Sequence, residues 1–373
     1  MARRLTGSTL LGGVAGILLI CDGVSHVNAR VALLDVFQEL FVLAAFACLL
    51  VVDRAQVRER LARAVGDGAP GMGSAAGIEL GARWWRFGTG LMLGLATSIK
   101  WSGIYWIAFF GVLSILWDIL ARRQAGARRP VLGTARRDLL PSLWSYAVIG
   151  IGTYIASWWA WLRSVSASAR SNYVSDSPDW KSQTLHSIAG LWHNTLWQWT
   201  WKMLDFHSHL LSPGAPGAAD PNPKNRHPWE SKPWSWPMGT RPVLYYRPAD
   251  KQAPGCGDGA LWRAIGRLDW RYAAVLVGYS AGYLPWFANL DRQMYFVYAT
   301  PFAPFLVLGI VLVLGDVLGS RRFSVERRML SLGVVALYVG LVVANFIWLW
   351  PILNGDPMTI DRLHMETWLP SWG

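Results

Sequence analysis

Long apolar runs, separated by short linkers whose charges are mostly arginine, constrain this chain more than any other feature. About 20 consecutive apolar residues cross the hydrocarbon core of a bilayer as a helix. Runs of that kind recur at 9–27, 31–52, 87–120, 141–162, 272–287, 295–314 and 329–350. The third is too long for one helix and predicts a hairpin of two, broken near Lys100-Trp101-Ser102-Gly103. The expected fold class is therefore an all-α integral membrane protein with about eight transmembrane helices. Five helices fall in 1–162 and three in 269–350, with a long Trp-rich segment at 163–268 and a tail at 351–373. Composition agrees: 53% of residues are hydrophobic and 16% charged, where soluble domains carry about 25% charged residues.

The net charge of +12 would suggest nucleic acid in a soluble chain. Here the arginines lie in linkers between apolar runs and no nucleic-acid reading motif accompanies them, so the charge marks the cytoplasmic side of a membrane protein and no nucleic-acid partner is expected. Linker 121–140, with six Arg against one Asp, is cytoplasmic on this rule, as are 53–83 and 316–328. The turns at 28–30, 100–102 and 289–293, the long segment and the tail then face outside. One conflict remains. The long segment starts outside, yet Arg263, Arg267 and Arg271 look cytoplasmic, and no adequate apolar run supplies a crossing between about 247 and 270.

Of three cysteines, Cys21 and Cys48 lie in apolar runs and Cys256 in a loop, so no disulfide framework is expected. The first apolar stretch carries Asp22 and lacks a small-x-small cleavage site, which argues against a signal peptide. Within 163–268 lie nine of the 24 Trp and five of the seven His. Leu185, Ile188, Leu191, Trp192, Leu196, Trp199, Met203 and Phe206 recur at helical spacing, the pattern of a helix lying on the membrane surface. His207, His209 and His227 have no Cys or acidic residue at metal-ligand spacing, so no metal is expected. The run His227-Pro228-Trp229-Glu230-Ser231-Lys232-Pro233-Trp234-Ser235-Trp236-Pro237 is rigid and offers flat aromatic faces, either as a platform for a sugar or extended peptide or as a loop packed on the membrane.

Charge at the outer turns is the clearest pointer to chemistry. Arg30 stands at the first, with Asp35 about one turn into the next helix; Lys100 stands at the second and Arg292, beside Asp291, at the third. Charges inside or at the rim of membrane helices are costly unless used or paired. Three cations converging on one face would suit a lipid-linked phosphate or pyrophosphate. The alternative is that Arg30 pairs with Asp35, Arg292 with Asp291, and Lys100 snorkels to the surface.

Several segments together resemble the protein O-mannosyltransferases. Asn28-Ala29-Arg30 through Leu34-Asp35-Val36-Phe37 is similar to that family's Ser-Arg-x-x-x-Leu-Asp-x-Phe segment. Gly90-Leu91-Met92-Leu93-Gly94-Leu95-Ala96 through Lys100-Trp101-Ser102-Gly103-Ile104-Tyr105 is similar to its Gly-x-x-x-Gly-x-Ala and Lys-Trp-x-Gly-x-Tyr segments. The His227 to Pro237 run and Arg241-Pro242-Val243-Leu244-Tyr245-Tyr246 resemble the actinobacterial branch, and Leu284-Pro285-Trp286-Phe287 with Arg292-Gln293-Met294-Tyr295-Phe296-Val297-Tyr298 resembles a segment near the family's carboxyl end. The resemblance implies a GT-C-type glycosyltransferase, multi-pass in the cell membrane and needing no cofactor. Its partners would be polyprenyl-phosphate mannose as donor, secreted proteins as Ser/Thr acceptors, and membrane lipid, with inversion at the sugar. It implies lipid-phosphate binding by Arg30, Lys100 and Arg292, and substrate contacts at Asp35, His207, His227, Trp229, Trp234 and Tyr295.

Two departures accompany the resemblance. The family's acidic Asp-Glu pair, which supplies the general base, has no counterpart here, and Glu230 is the best remaining carboxylate. The family's helix ahead of the segment like Arg267 to Arg271 is also absent, at the place where the charge pattern demands a crossing. The chain therefore looks like a family member lacking its amino-terminal portion and one internal helix, and is expected to be inactive by itself.

Overall fold

The computed structural model describes residues 1–66, 78, 80–159, 227, 229–237, 269–288, 290, 292–319 and 324–367. Outside them lie the surface helix expected over 185–206, His207, His209, Cys256, Asp291, and the crossing sought between 247 and 270. The chain divides into two compact units: residues 1–154, 229–289 and 294–373 form the first, and residues 155–228 and 290–293 the second.

In the first unit each expected apolar run is helical, but the boundaries differ in instructive ways. After a short α1 (Ala2–Thr6), the first run splits into α2 (Thr9–Ile20) and α3 (Gly23–Arg30), bent by 58°. Asp22 causes the split, because its carboxylate accepts from the Ser25 amide at 3.1 Å and caps a new helix. The second run is α4 (Leu34–Phe46), continuing through a π-helical stretch (Ala47–Asp53) into α5 (Arg54–Gly66). The expected polar linker thus begins as helix. Arg83 and Asp53 are neutralised by contact, so the helix end tolerates them in a buried place.

The expected hairpin is α6 (Trp84–Ile99) and α7 (Gly103–Gln124). Gly103 is required at the turn, since a Cβ there would lie 2.5 Å from the Thr97 amide nitrogen. After α8 (Pro130–Arg137), α9 (Leu139–Leu143) runs through a π-helical stretch (Trp144–Val148) into α10 (Ile149–Ser157), whose last residues belong to the second unit. Then come α11 (Trp270–Tyr283), 3-10 turns at Leu284–Ala288 and Phe296–Phe302, α12 (Ala303–Leu318), α13 (Val325–Trp348), α14 (Trp350–Asn354) and α15 (Ile360–Glu366).

Among the described residues, five helical stretches are long and apolar enough to cross a membrane, or six if the bent pair counts as one span. The expectation of about eight is not matched on that count, because α6 and α11 are 16 and 14 residues long. The chain is nonetheless a multi-pass membrane protein. On α13, Leu330, Leu337, Leu341 and Ile347 are exposed, as on a helix facing lipid.

Small residues let the helices approach closely. A Cβ at Gly90 would lie 1.8 Å from the Ser145 carbonyl oxygen, and one at Gly94 would lie 2.6 Å from that of Gly150. The two glycines of the α6 motif therefore serve contact between helices, as small residues do in membranes. On the other side, Gly278 and Gly282 of α11 admit Phe305 and Trp106, and the Trp106 indole donates to the Gly278 carbonyl at 3.1 Å. Phe46, Phe110 and Phe305 close the centre.

Candidate functional site

The site is built where α6 breaks before α7. Lys100 follows the last turn of α6 in extended backbone geometry. Its ammonium donates to Asp35 of α4 at 2.7 Å and stands 3.6 Å from the centroid of the Tyr298 ring. The Asp35 side chain is 9% exposed and that of Lys100 25%, so the pair sits at a rim rather than in the core.

One turn beyond Asp35, on the same face of α4, Gln38 is fully buried and holds the backbone of that break. Its amide donates to the Lys100 carbonyl at 2.9 Å, the Ser102 hydroxyl at 3.0 Å and the Ala96 carbonyl at 3.3 Å. α4 thus fixes Lys100 twice, by a carboxylate at its side chain and an amide at its carbonyl. The 3-10 turn Phe296–Phe302 packs against α3 and α4, where Asn28 donates to the Thr300 hydroxyl at 2.5 Å.

Tyr298 belongs to an aromatic stack. It lies almost parallel to Trp286, with centroids 4.9 Å apart and planes 25° apart, and edge-on to Tyr295 and Trp236 at 6.2 and 6.3 Å. Trp236 is buried, and its indole donates to Ser231 at 2.9 Å. The Ser231 amide donates to the Met294 carbonyl at 2.8 Å. The described part of the Trp-Pro loop, 229–237, is therefore anchored by Trp236, while Trp234 is 58% exposed and Trp229 half-buried. Glu230 is buried and pairs with Lys232 at 2.6 Å.

The arrangement differs from the expected Arg30–Asp35 pair. Asp35 meets Lys100, not Arg30, because Lys100 enters from the α6 break on the same side of α4 as Gln38. Arg30, at the end of α3, is exposed and donates to the Leu353 carbonyl at 3.4 Å. Arg292 and His227 belong to the second unit, where Arg292 is half-buried and His227 exposed. His207 lies outside the described residues. The sequence reading missed Gln38, Tyr298, Trp286 and Trp236. For Gln38 the signal was present, as a polar residue three positions from Asp35 inside an apolar run. For Tyr298 there was only its place in the segment that resembles the family.

Behind α3, Ser25 bridges two carboxylates, donating to Asp22 at 2.6 Å and to Glu39 at 3.2 Å. His26 lies against the rings of Phe346 and Trp350, with Asn354 Oδ1 3.4 Å from its Nε2. Among the described residues no group of three His, Cys, Asp or Glu is placed to hold a metal ion.

Comparison with known proteins bears on what such a site serves. Residues 1–162 match the family model described as dolichyl-phosphate-mannose-protein mannosyltransferase. A polyprenol-phosphate-mannose–protein mannosyltransferase of Mycolicibacterium smegmatis is 46% identical over all of this chain and 74% of its own length. That of Mycobacterium tuberculosis strain H37Rv is 46% identical over all of this chain and 73% of its own, and that of Corynebacterium glutamicum 35% over the same shares. The alignment with the first spans 398 residues against 373 here, so about 25 of its positions have no counterpart in this chain. No solved structure matches significantly. Identity of this degree along the whole chain shows that it belongs to the polyprenol-phosphate-mannose–protein mannosyltransferases, a family of GT-C membrane glycosyltransferases.

Proposed function

We propose that this glycosyltransferase moves mannose from polyprenyl-phosphate mannose to Ser or Thr hydroxyls of secreted proteins, with inversion, at the outer face of the cell membrane. The observation that carries the reading is the Lys100 ammonium, held at the rim of the helices by one carboxylate and one ring. Relatives are named for a polyprenol-phosphate donor and a protein acceptor. As the bond between sugar and phosphate breaks, negative charge grows on the departing phosphate, and a cation fixed beforehand stabilises it without reorganisation.

Lys100 supplies that charge, with Asp35 orienting it. Arg30 adds a guanidinium able to meet two phosphate oxygens at once. The exposed indole of Trp234, with Trp229 and Tyr295, is assigned to the sugar or the acceptor chain; for His227 and His207 the same role rests on the family resemblance alone. The acceptor hydroxyl must lose its proton to a base as it attacks. Glu230 is engaged by Lys232, which suits a role in shaping the loop better than a role as that base.

The test uses native membranes containing the chain, against membranes from a deletion strain, supplied with radiolabelled polyprenyl-phosphate mannose and a Ser/Thr-rich peptide. Label should enter the peptide and not its Ala-substituted counterpart. Label confined to lipid or glycan fractions would overturn the protein acceptor. Transfer unaffected by Lys100→Met would overturn the site.

A further inference from the structure

We infer that Tyr298 is a positioning residue, whose ring face holds the Lys100 ammonium where a lipid-linked phosphate can meet it. The inference rests on the reading of Lys100 given above. A lysine carries its charge on a flexible four-carbon stem, so the position of that charge must be set by whatever surrounds it. Asp35 at 2.7 Å and the Tyr298 ring at 3.6 Å both act on it. They act differently. The carboxylate offsets part of the cation's charge. The ring attracts the cation through its quadrupole and carries no net charge, so it fixes the ammonium without cancelling the field that a phosphate would feel. A second carboxylate in that place would leave the site net negative and repel the ligand.

The ring is itself held. Trp286 stacks on it at 4.9 Å, and Tyr295 and Trp236 abut it edge-on. Asn28 fixes Thr300, two residues along the same 3-10 turn. Trp236 belongs to the loop that presents Trp234, so the stack also ties the position of the cation to that loop. The ring face, which phenylalanine also offers, is what acts on the lysine.

The test measures equilibrium binding of a short-chain polyprenyl monophosphate to the purified full chain in lipid nanodiscs, with the uncharged polyprenol as control. Dividing one affinity by the other isolates the phosphate. Lys100→Met should lower this ratio about tenfold or more, the scale of a lost charge-assisted contact. Tyr298→Leu should lower it about fivefold, within the range of a partly desolvated cation–ring contact, and Tyr298→Phe should keep it within about twofold. In the Lys100→Met background, Tyr298→Leu should cause no further loss, because the ring acts only through the lysine. An unchanged ratio in Tyr298→Leu, beside a loss in Lys100→Met, overturns the role of Tyr298 and leaves the phosphate reading standing. So does a further loss in the double variant, or a Tyr298→Phe as damaging as Tyr298→Leu. An unchanged ratio in Lys100→Met overturns the phosphate reading itself. Should Tyr298→Leu not fold, Tyr298→Met, of similar volume, takes its place with the same expectations.

Discussion

The two ends of α6 carry ion pairs of opposite character. At its start, Arg83 donates to both oxygens of Asp53 and, at 2.6 Å, to Asp118, while Arg86 donates to Ser142 at 3.0 Å and lies 3.8 Å from Asp118. All four charged side chains are at most 4% exposed, and two cations face two carboxylates. At its other end, 16 residues and about 24 Å along the helix, Lys100 meets the Asp35 carboxylate and the Tyr298 ring with a quarter of its side chain exposed. The first end is neutral, dry and joins the π-helical stretch Ala47–Asp53, the start of α6 and α7. The second leaves a cation accessible at a rim. Burial and charge balance therefore separate the ions that hold the helices from the ions suited to a ligand, although both ends pair basic side chains with aspartate.

The largest expected effect falls on the first end. Arg83→Ala strands two buried carboxylates and should cost about 3–5 kcal/mol, read as unfolding of the detergent-solubilised chain. A cost below about 1 kcal/mol would show that the network is not what joins these helices. At the second end the balance should shift toward function. Lys100→Met leaves one carboxylate rather than two without its partner and should cost less stability than Arg83→Ala, yet it should lower mannosyl transfer by tenfold or more, from loss of a contact worth about 1.5–3 kcal/mol. Arg30→Ala should do the same if Arg30 meets the phosphate. Transfer unchanged in Arg30→Ala would leave it as a partner of the Leu353 carbonyl alone.

A third substitution tests the scaffold between the two ends. Gly90→Ala would place a methyl group against the Ser145 carbonyl and should cost about 1–3 kcal/mol, as overpacking does. Gly13→Ala, with nothing within 4 Å, should cost no stability. Equal effects at the two positions would remove the case that Gly90 sets the spacing between α6 and the helix holding Ser145.

Much of this architecture was legible because apolar length is a strong signal. Among the described residues each apolar run forms helix, and the hairpin breaks at Lys100 to Ser102 as its residues predict. What escaped the sequence is of two kinds. Local capping overrode composition at Asp22, where a single polar residue bends an apolar run by 58°. Contacts between residues distant in sequence were invisible: Asp35 could meet Arg30 or Lys100 on charge alone, and the helical face shared with Gln38 decided for Lys100. Tyr298 lies 198 positions from Lys100, and no local pattern announces such a contact. The buried network escaped for the same reason, since its Asp53 and Arg83 lie at the two edges of what composition presents as a polar linker.

The smallest expected effect separates a buried ion pair from an exposed one at the same end. Trp270, at the start of α11, lies under the Arg54 guanidinium at 3.5 Å, next to Asp53 in sequence. Its neighbour Asp269 caps α11, accepting from the Arg271 amide at 2.9 Å and from the Arg271 guanidinium at 2.6 Å. The hydrogen bonds from Arg271 hold the Asp269 carboxyl below the usual carboxylate range, against partial burial, which pushes the other way. Because the folded value is the lower one, the contribution of this carboxylate is fully present above the unfolded pKa of about 3.9, and it fades as pH falls through the folded value. Asp269→Asn keeps an oxygen for the cap and removes only the charge. With 31% and 23% of the two side chains exposed, solvent screens the pair, and the loss at pH 7 should be about 0.2–1 kcal/mol. The gap between variant and parent should close as the pH is lowered through and below 4. A loss as large as that of Arg83→Ala, or one that does not vary with pH, would mean that burial and charge balance do not rank the ion pairs at this end of the protein.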